Sequence, residues 1–146
     1  MKFYIAYGSN LSVEQMAFRC PTAEIVGKAV LKDWKLAFGQ HATIETWIGA
    51  EVPALIWSIQ ESDEMMLDKY EGYPKYYYKK ALLVEITDLD GTHPENVIAM
   101  VYIMTDIQKT GKPSQQYYNV IKEGYERFGF DMTGLERALE EAGGTI

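Results

Sequence analysis

The sequence predicts an α+β fold: a mixed sheet or small barrel with helices packed on its outside. Three observations predict it. Several runs are rich in aromatic and β-branched residues, the composition of strands. Serine or threonine recurs just ahead of helix-like stretches. The order is strand, helix, several strands, helix, strand pair and then helices, which is not the regular alternation of a doubly wound sheet.

Residues 2–7 read as a buried strand, and Gly8-Ser9-Asn10 breaks it. Ser12 with Gln15 three residues later is a capping-box pattern, so a helix is expected from Val13 to about Cys20, stopping before Pro21. Residues 23–31 and 34–38 look like two strands, with Gly39 ending the second, and residues 53–59 make another. Ser62 is expected to cap a short helix through about Tyr70. Residues 78–88 and 97–104 form two β-rich runs joined around Asp90-Gly91, a hairpin turn signal. Pro113-Ser114 opens a helix to about Phe128. Thr133 with Glu136 is a second capping box, and Gly143 is a natural stop for the last helix.

The 146 residues suit one domain, spanning 1–146, and a chain of this size buries enough surface to fold without staples. The N-terminus starts directly in strand-like sequence and lacks the apolar segment of a signal peptide. No apolar run approaches the length of a membrane span. The single cysteine, Cys20, permits no internal disulfide, and a reducing cytoplasm is the expected setting. Net charge is −7 and the cations are scattered, so nucleic acid is not an expected partner. No phosphate-binding glycine loop is present, and His41, His93 and Cys20 have no metal-like spacing. Neither a metal nor a cofactor is expected. A solvated His93, a solvated His41 and a packed Cys20 are the simplest readings of those residues.

Two segments are candidates for chemistry. Tyr7-Gly8-Ser9-Asn10-Leu11 lies between a strand and a helix. Such a turn leaves successive N–H groups free beside a helix N-terminus, and glycine admits a ligand close to the backbone. The loop suits a carboxylate or an oxyanion, with an ordinary strand-to-helix turn as the competing explanation. Glu71 falls at a helix C-terminus ahead of Gly72 and Pro74, among Tyr70, Tyr73, Tyr76, Tyr77 and Tyr78. The helix dipole disfavours a negative charge there. An aromatic setting would raise its pKa and suit it to proton transfer. A solvated last-turn glutamate is the alternative.

Five stretches, in order, make the chain resemble the γ-glutamylcyclotransferase family: Phe3–Leu11, Leu31–Gly39, Leu55-Ile56-Trp57, Leu67-Asp68 with Glu71-Gly72, and Tyr102–Thr105 with Pro113–Tyr117. The Tyr-Gly-Ser-Asn form of the loop resembles the glutathione-pathway and antibiotic-pathway members. Gly129-Phe130-Asp131 departs from the Gly-Leu-Pro-like turn common in the family's tail, which bears on the preference for the leaving group. The resemblance implies a small mixed β-barrel flanked by helices, often assembled as a homodimer.

It also implies a reaction. The α-amine of a γ-glutamyl compound attacks its own γ-carbonyl, 5-oxoproline forms, and the amine on the other side leaves. The nucleophile is intramolecular, so the protein need supply only a held geometry, a proton carrier and oxyanion donors. Glu71 is the expected acid/base. Gly8, Ser9, Asn10 and Leu11 are the expected backbone donors, and Tyr7, Tyr78, Tyr102 and Tyr117 are expected to shape the pocket around the substrate. Two alternatives stay open: a cyclotransferase of the same fold acting on γ-glutamylamines or antibiotic intermediates, and a γ-glutamyl-binding module without turnover.

Overall fold

The structure, a computed structural model, describes residues 2–105 and 111–143. Its centre is a closed five-stranded barrel in the spatial order β1-β3-β2-β4-β5. The strands are β1 (Lys2–Ala6), β2 (Glu24–Phe38), β3 (Ala42–Ile59), β4 (Tyr77–Thr87) and β5 (Glu95–Met104). The helices are α1 (Val13–Arg19), α2 (Glu61–Glu71), α3 (Gln115–Phe128) and α4 (Thr133–Glu141). Neighbouring strands run antiparallel except at the β1–β5 closure, which is parallel and pairs Tyr4 with Met100. The expected mixed barrel with helices outside is the architecture found. Among the described residues, no helix is long and apolar enough to cross a membrane.

The longest departure from the sequence reading is in β2 and β3. The two strands expected at 23–31 and 34–38 are one continuous strand, and β3 begins at Ala42 rather than at residue 53. The interruption at Asp33 is a bulge: pairing steps from Lys32↔Glu51 to Trp34↔Thr46, Asp33 takes φ 65°, and its Oδ1 accepts the Gly49 N–H at 3.0 Å. A bulge absorbs extra residues while the ladder continues on either side. Local turn signals therefore looked like strand ends.

Helix starts follow side-chain acceptors. Ser12 Oγ accepts the Gln15 N–H and Ser114 Oγ the Tyr117 N–H, as expected. The start of α2 is corrected. Gln60, not Ser62, is its N-cap, and Asp63 Oδ2 reaches back to the Gln60 N–H at 2.9 Å. Asp63 also takes the Thr22 hydroxyl at 2.6 Å, so it serves two orphan donors from one buried position. In α4, Thr133 is the first helical residue and its N–H is held by Asp131 Oδ1. At the other end of α2, Gly72 takes φ 69° and its N–H returns to the helix carbonyls. That left-handed turn favours glycine and ends the helix one residue after Glu71.

Candidate active site

The first strand leaves the barrel at Ala6 and turns through a 3₁₀ segment, Ser9–Leu11, into α1. Leu11 is wholly buried, and Gly124 of α3 packs on it so closely that a Cβ there would lie 2.6 Å from Leu11 Cβ. That contact presses the loop against the helix layer. The Leu11 and Ser12 N–H groups close the turn onto Gly8 and Ser9 carbonyls. Among the described residues, nothing accepts the N–H groups of Gly8, Ser9 and Asn10. Trp57 Nε1 fixes the Asn10 carbonyl at 3.2 Å and Asn10 Nδ2 donates to the Tyr4 hydroxyl at 2.8 Å.

This loop forms one wall of a cavity of about 330 Å³. The end of α2 forms the facing wall with Tyr70 and Glu71, and Tyr4, Tyr7, Tyr77, Tyr102 and Tyr117 complete it from β1, β4, β5 and α3. A volume of this size accepts a small polar molecule. Most of the tyrosine hydroxyls are committed. Tyr7 donates to the Tyr102 carbonyl, Tyr77 to the Ala42 carbonyl and Tyr102 to Asp68 Oδ1, at 2.7, 2.7 and 2.6 Å. Tyr4 and Tyr117 differ: their oxygens accept the Asn10 Nδ2–H at 2.8 Å and the Ala42 N–H at 3.0 Å, so their own protons remain available to a ligand. Burial raises the pKa of Tyr4, Tyr7, Tyr77, Tyr102 and Tyr117, and all five stay neutral phenols across the physiological range.

Glu71 is the only carboxylate among the described residues of the cavity wall. No described residue donates a hydrogen bond to it, and burial pushes its carboxyl up to about 7 against a smaller opposing pull from the Arg19 cation. It is half-buried rather than solvated. A carboxyl at that value exchanges a proton readily in either direction at neutral pH.

The sequence candidates divide cleanly. Tyr7, Gly8, Ser9, Asn10, Glu71, Tyr102 and Tyr117 meet at the cavity. Leu11 does not line it and instead anchors the loop in the core. Tyr78 is exposed on the outer face of β4, and Tyr77 takes the inward place. Counting alternately back from the buried Val84 and Ile86 would turn Tyr78 inward, but Lys80 and Ala81 are both exposed and burial passes to the other side of the strand there, although its pairing with β5 is unbroken. The sequence reading missed Tyr4, whose bond to Asn10 no local pattern announces, and His41. His41 lines the cavity mouth with its ring 5.1 Å from Tyr117. A short turn, closed by the Gly39 N–H on the His41 carbonyl, carries it there.

The family model described as gamma-glutamyl cyclotransferase, AIG2-like, matches residues 4–125. The chain is 33% identical to a bovine gamma-glutamylcyclotransferase over 141 residues, covering 88% of this chain and 72% of that protein. It is 31% identical to the human gamma-glutamylcyclotransferase, covering 92% and 75%. A solved gamma-glutamyl cyclotransferase structure superimposes with a TM-score of 0.78 at 29% identity, covering 94% of this chain and 85% of that one. Loop, cavity and all but the first two residues of the barrel thus fall within the matched region, and the chain belongs to the gamma-glutamyl cyclotransferase, AIG2-like family of enzymes.

Proposed function

We propose that the protein converts a γ-glutamyl amino acid or γ-glutamyl amine into 5-oxoproline and the free amine, with Glu71 as the single acid/base. The observation that carries this reading is the isolation of Glu71. It is a half-buried carboxyl on the cavity wall with no described hydrogen-bond donor, shifted up to about 7 and surrounded by neutral phenols. Family membership supports the reaction class.

The chemistry balances without a further reagent. The substrate's α-ammonium loses a proton to the Glu71 carboxylate, and the freed nitrogen attacks the γ-carbonyl carbon. A five-membered ring closes. The developing oxyanion is met by the unpaired N–H groups of Gly8, Ser9 and Asn10. The ring nitrogen gives up a second proton, the leaving nitrogen gains protons through Glu71, and the old amide bond breaks. Two protons leave the α-nitrogen and two reach the departing amine, one at a time through one carboxyl. Holding the chain folded supplies the effective molarity of an intramolecular attack.

A panel of γ-glutamyl dipeptides and γ-glutamyl amines, assayed for 5-oxoproline, tests this directly. N-acetylation of the substrate amine is expected to abolish turnover. Release of the amine from the acetylated compound at a normal rate would mean hydrolysis and overturn the cyclisation reading.

A further inference from the structure

Arg19, the last residue of α1, reaches both walls of the cavity without lining it. Its Nη1 donates to Asn10 Oδ1, and its guanidinium carbon lies 3.5 Å from the centre of the Tyr70 ring. Nη2 lies 3.4 Å from Gln15 Oε1 on the same helix. Asn10 is therefore oriented through every group of its side chain: Oδ1 by Arg19 and Nδ2 by Tyr4. Tyr70 is faced by the cation and bonds Ser9 Oγ through its hydroxyl at 2.8 Å. Tyr70 immediately precedes Glu71 in α2.

We propose that Arg19 is a positioning residue for the cyclisation, a clamp that fixes the Gly8–Asn10 donors and the Glu71 end of α2 at a set separation. The proposal rests on the reaction assigned above but stands on its own geometry. A planar guanidinium can bond one wall and stack on the other at the same time, which an ammonium cannot do. Without it, the Asn10 amide loses one of its two side-chain partners, and the loop is left to Tyr4, Trp57, the Leu11 contact and a Ser9–Tyr70 bond whose ring has lost its cation.

Arg19 has a second effect, through charge. The side chains that face Glu71 from the other elements are Tyr4 and Tyr7 from the first strand and its end, Tyr77 from β4 and Tyr117 from α3. Burial keeps all of them neutral. His41 and Lys69 stand at the cavity rim. Among the described residues, the Arg19 cation is what pulls the Glu71 carboxyl down against its burial. Removing the charge therefore raises the Glu71 midpoint, whereas removing only the fork leaves the midpoint in place.

The test uses Arg19→Lys and Arg19→Met in the full chain, each checked for a cooperative melt. Two readouts are followed: the Glu71 carboxyl titration by carbon NMR, with Glu71→Gln to assign the signal, and kcat/KM for 5-oxoproline release. Arg19→Met is expected to raise the midpoint by roughly half a unit or more and to lower kcat/KM by about 10- to 100-fold. Arg19→Lys is expected to restore the midpoint and recover kcat/KM only in part. Full recovery of kcat/KM in Arg19→Lys, or unchanged kcat/KM in Arg19→Met, overturns the clamp, and an unshifted midpoint in Arg19→Met overturns the charge effect. If Arg19→Met fails to fold, Arg19→Lys decides alone, since full activity there removes the need for the fork. If even the unmodified protein releases no 5-oxoproline, the reaction assignment falls and the cyclisation role of Arg19 with it, while the carboxyl titration still decides its charge effect on Glu71.

Discussion

Asp68 and Glu71 stand three residues apart on α2, and their surroundings are opposite. Asp68 takes the Tyr102 hydroxyl at 2.6 Å and the Lys79 ammonium at 2.9 Å. Lys79 also bonds Glu64 at 2.6 Å, and Glu64 pairs with Lys2 at 2.8 Å. Burial works to raise the Glu64 carboxyl, but the two lysines outweigh it and lower its pKa. This network ties β1, α2, β4 and β5 together. Glu71, one turn on, has no described donor, and its carboxyl rises to about 7. The contrast teaches that satisfied charge and reactive charge are separated by orientation rather than by sequence distance. A carboxylate that is fully paired stabilises the fold and has no capacity left to move a proton.

Exchanging Glu71 for Gln should break the contrast most severely. Turnover is expected to fall by ~10²–10⁴, the usual contribution of a placed proton carrier. Stability should move the other way. A carboxyl raised in the folded protein holds its proton to higher pH than the unfolded chain does. Stability is therefore lost as pH rises from the ordinary value of 4.5 to about 7, and the cost is complete above that. Glu71→Gln removes it, so urea denaturation at pH 8 should show a gain on the order of 2 kcal/mol. A large loss of stability with retained turnover would reverse the roles assigned to the two residues.

The pH dependence sharpens the same point. As the base must be ionised to accept a proton, kcat/KM should rise as pH increases through about 7, following the Glu71 carboxyl. That acid limb should be absent from the residual activity of Glu71→Gln. A limb that survives the substitution unchanged would assign the proton to another group.

Asp68→Ala should show the complementary pattern. It strips the Tyr102 hydroxyl of its acceptor and Lys79 of one partner. A loss of roughly 1–3 kcal/mol is expected in a urea melt, with turnover reduced by less than about tenfold. Turnover as low as that of Glu71→Gln would show that the network itself carries protons. The smallest effect should come from Cys20→Ser. Cys20 is buried, its thiol is pushed up to about 11 chiefly by burial, and Sγ lies 3.6 Å from the Asp63 carbonyl. Activity should be unchanged, with a stability loss of about 1 kcal/mol.

Much of this was legible in residue order. The start of α3 at Ser114, the stop of α2 at Gly72 and the loop after β1 all follow from side-chain caps and glycine, which act within a few residues of themselves. What escaped depended on partners distant in sequence. The first half of β3 was invisible because its strand character comes from pairing with β2 around the Asp33 bulge. Tyr78 is expected at the pocket and Tyr77 takes that place, because the inward face of β4 is set by its barrel neighbours and not by three consecutive tyrosines. The link from Arg19 to Tyr70 spans α1 and α2, and nothing in either segment announces it.

Residue order is enough for the element types, the glycine-bearing loop and the placement of a glutamate at a helix end, because each rests on short-range sterics and hydrogen bonding. Only the assembled fold settles that this glutamate meets no donor among the described residues while its neighbour Asp68 takes both Tyr102 and Lys79. It also decided which tyrosines turn inward and that Leu11 packs on Gly124 instead of facing the cavity. The physical reason is that desolvation and charge pairing are properties of the assembled surroundings. They take their values only when residues far apart in the chain close around the same few cubic ångströms.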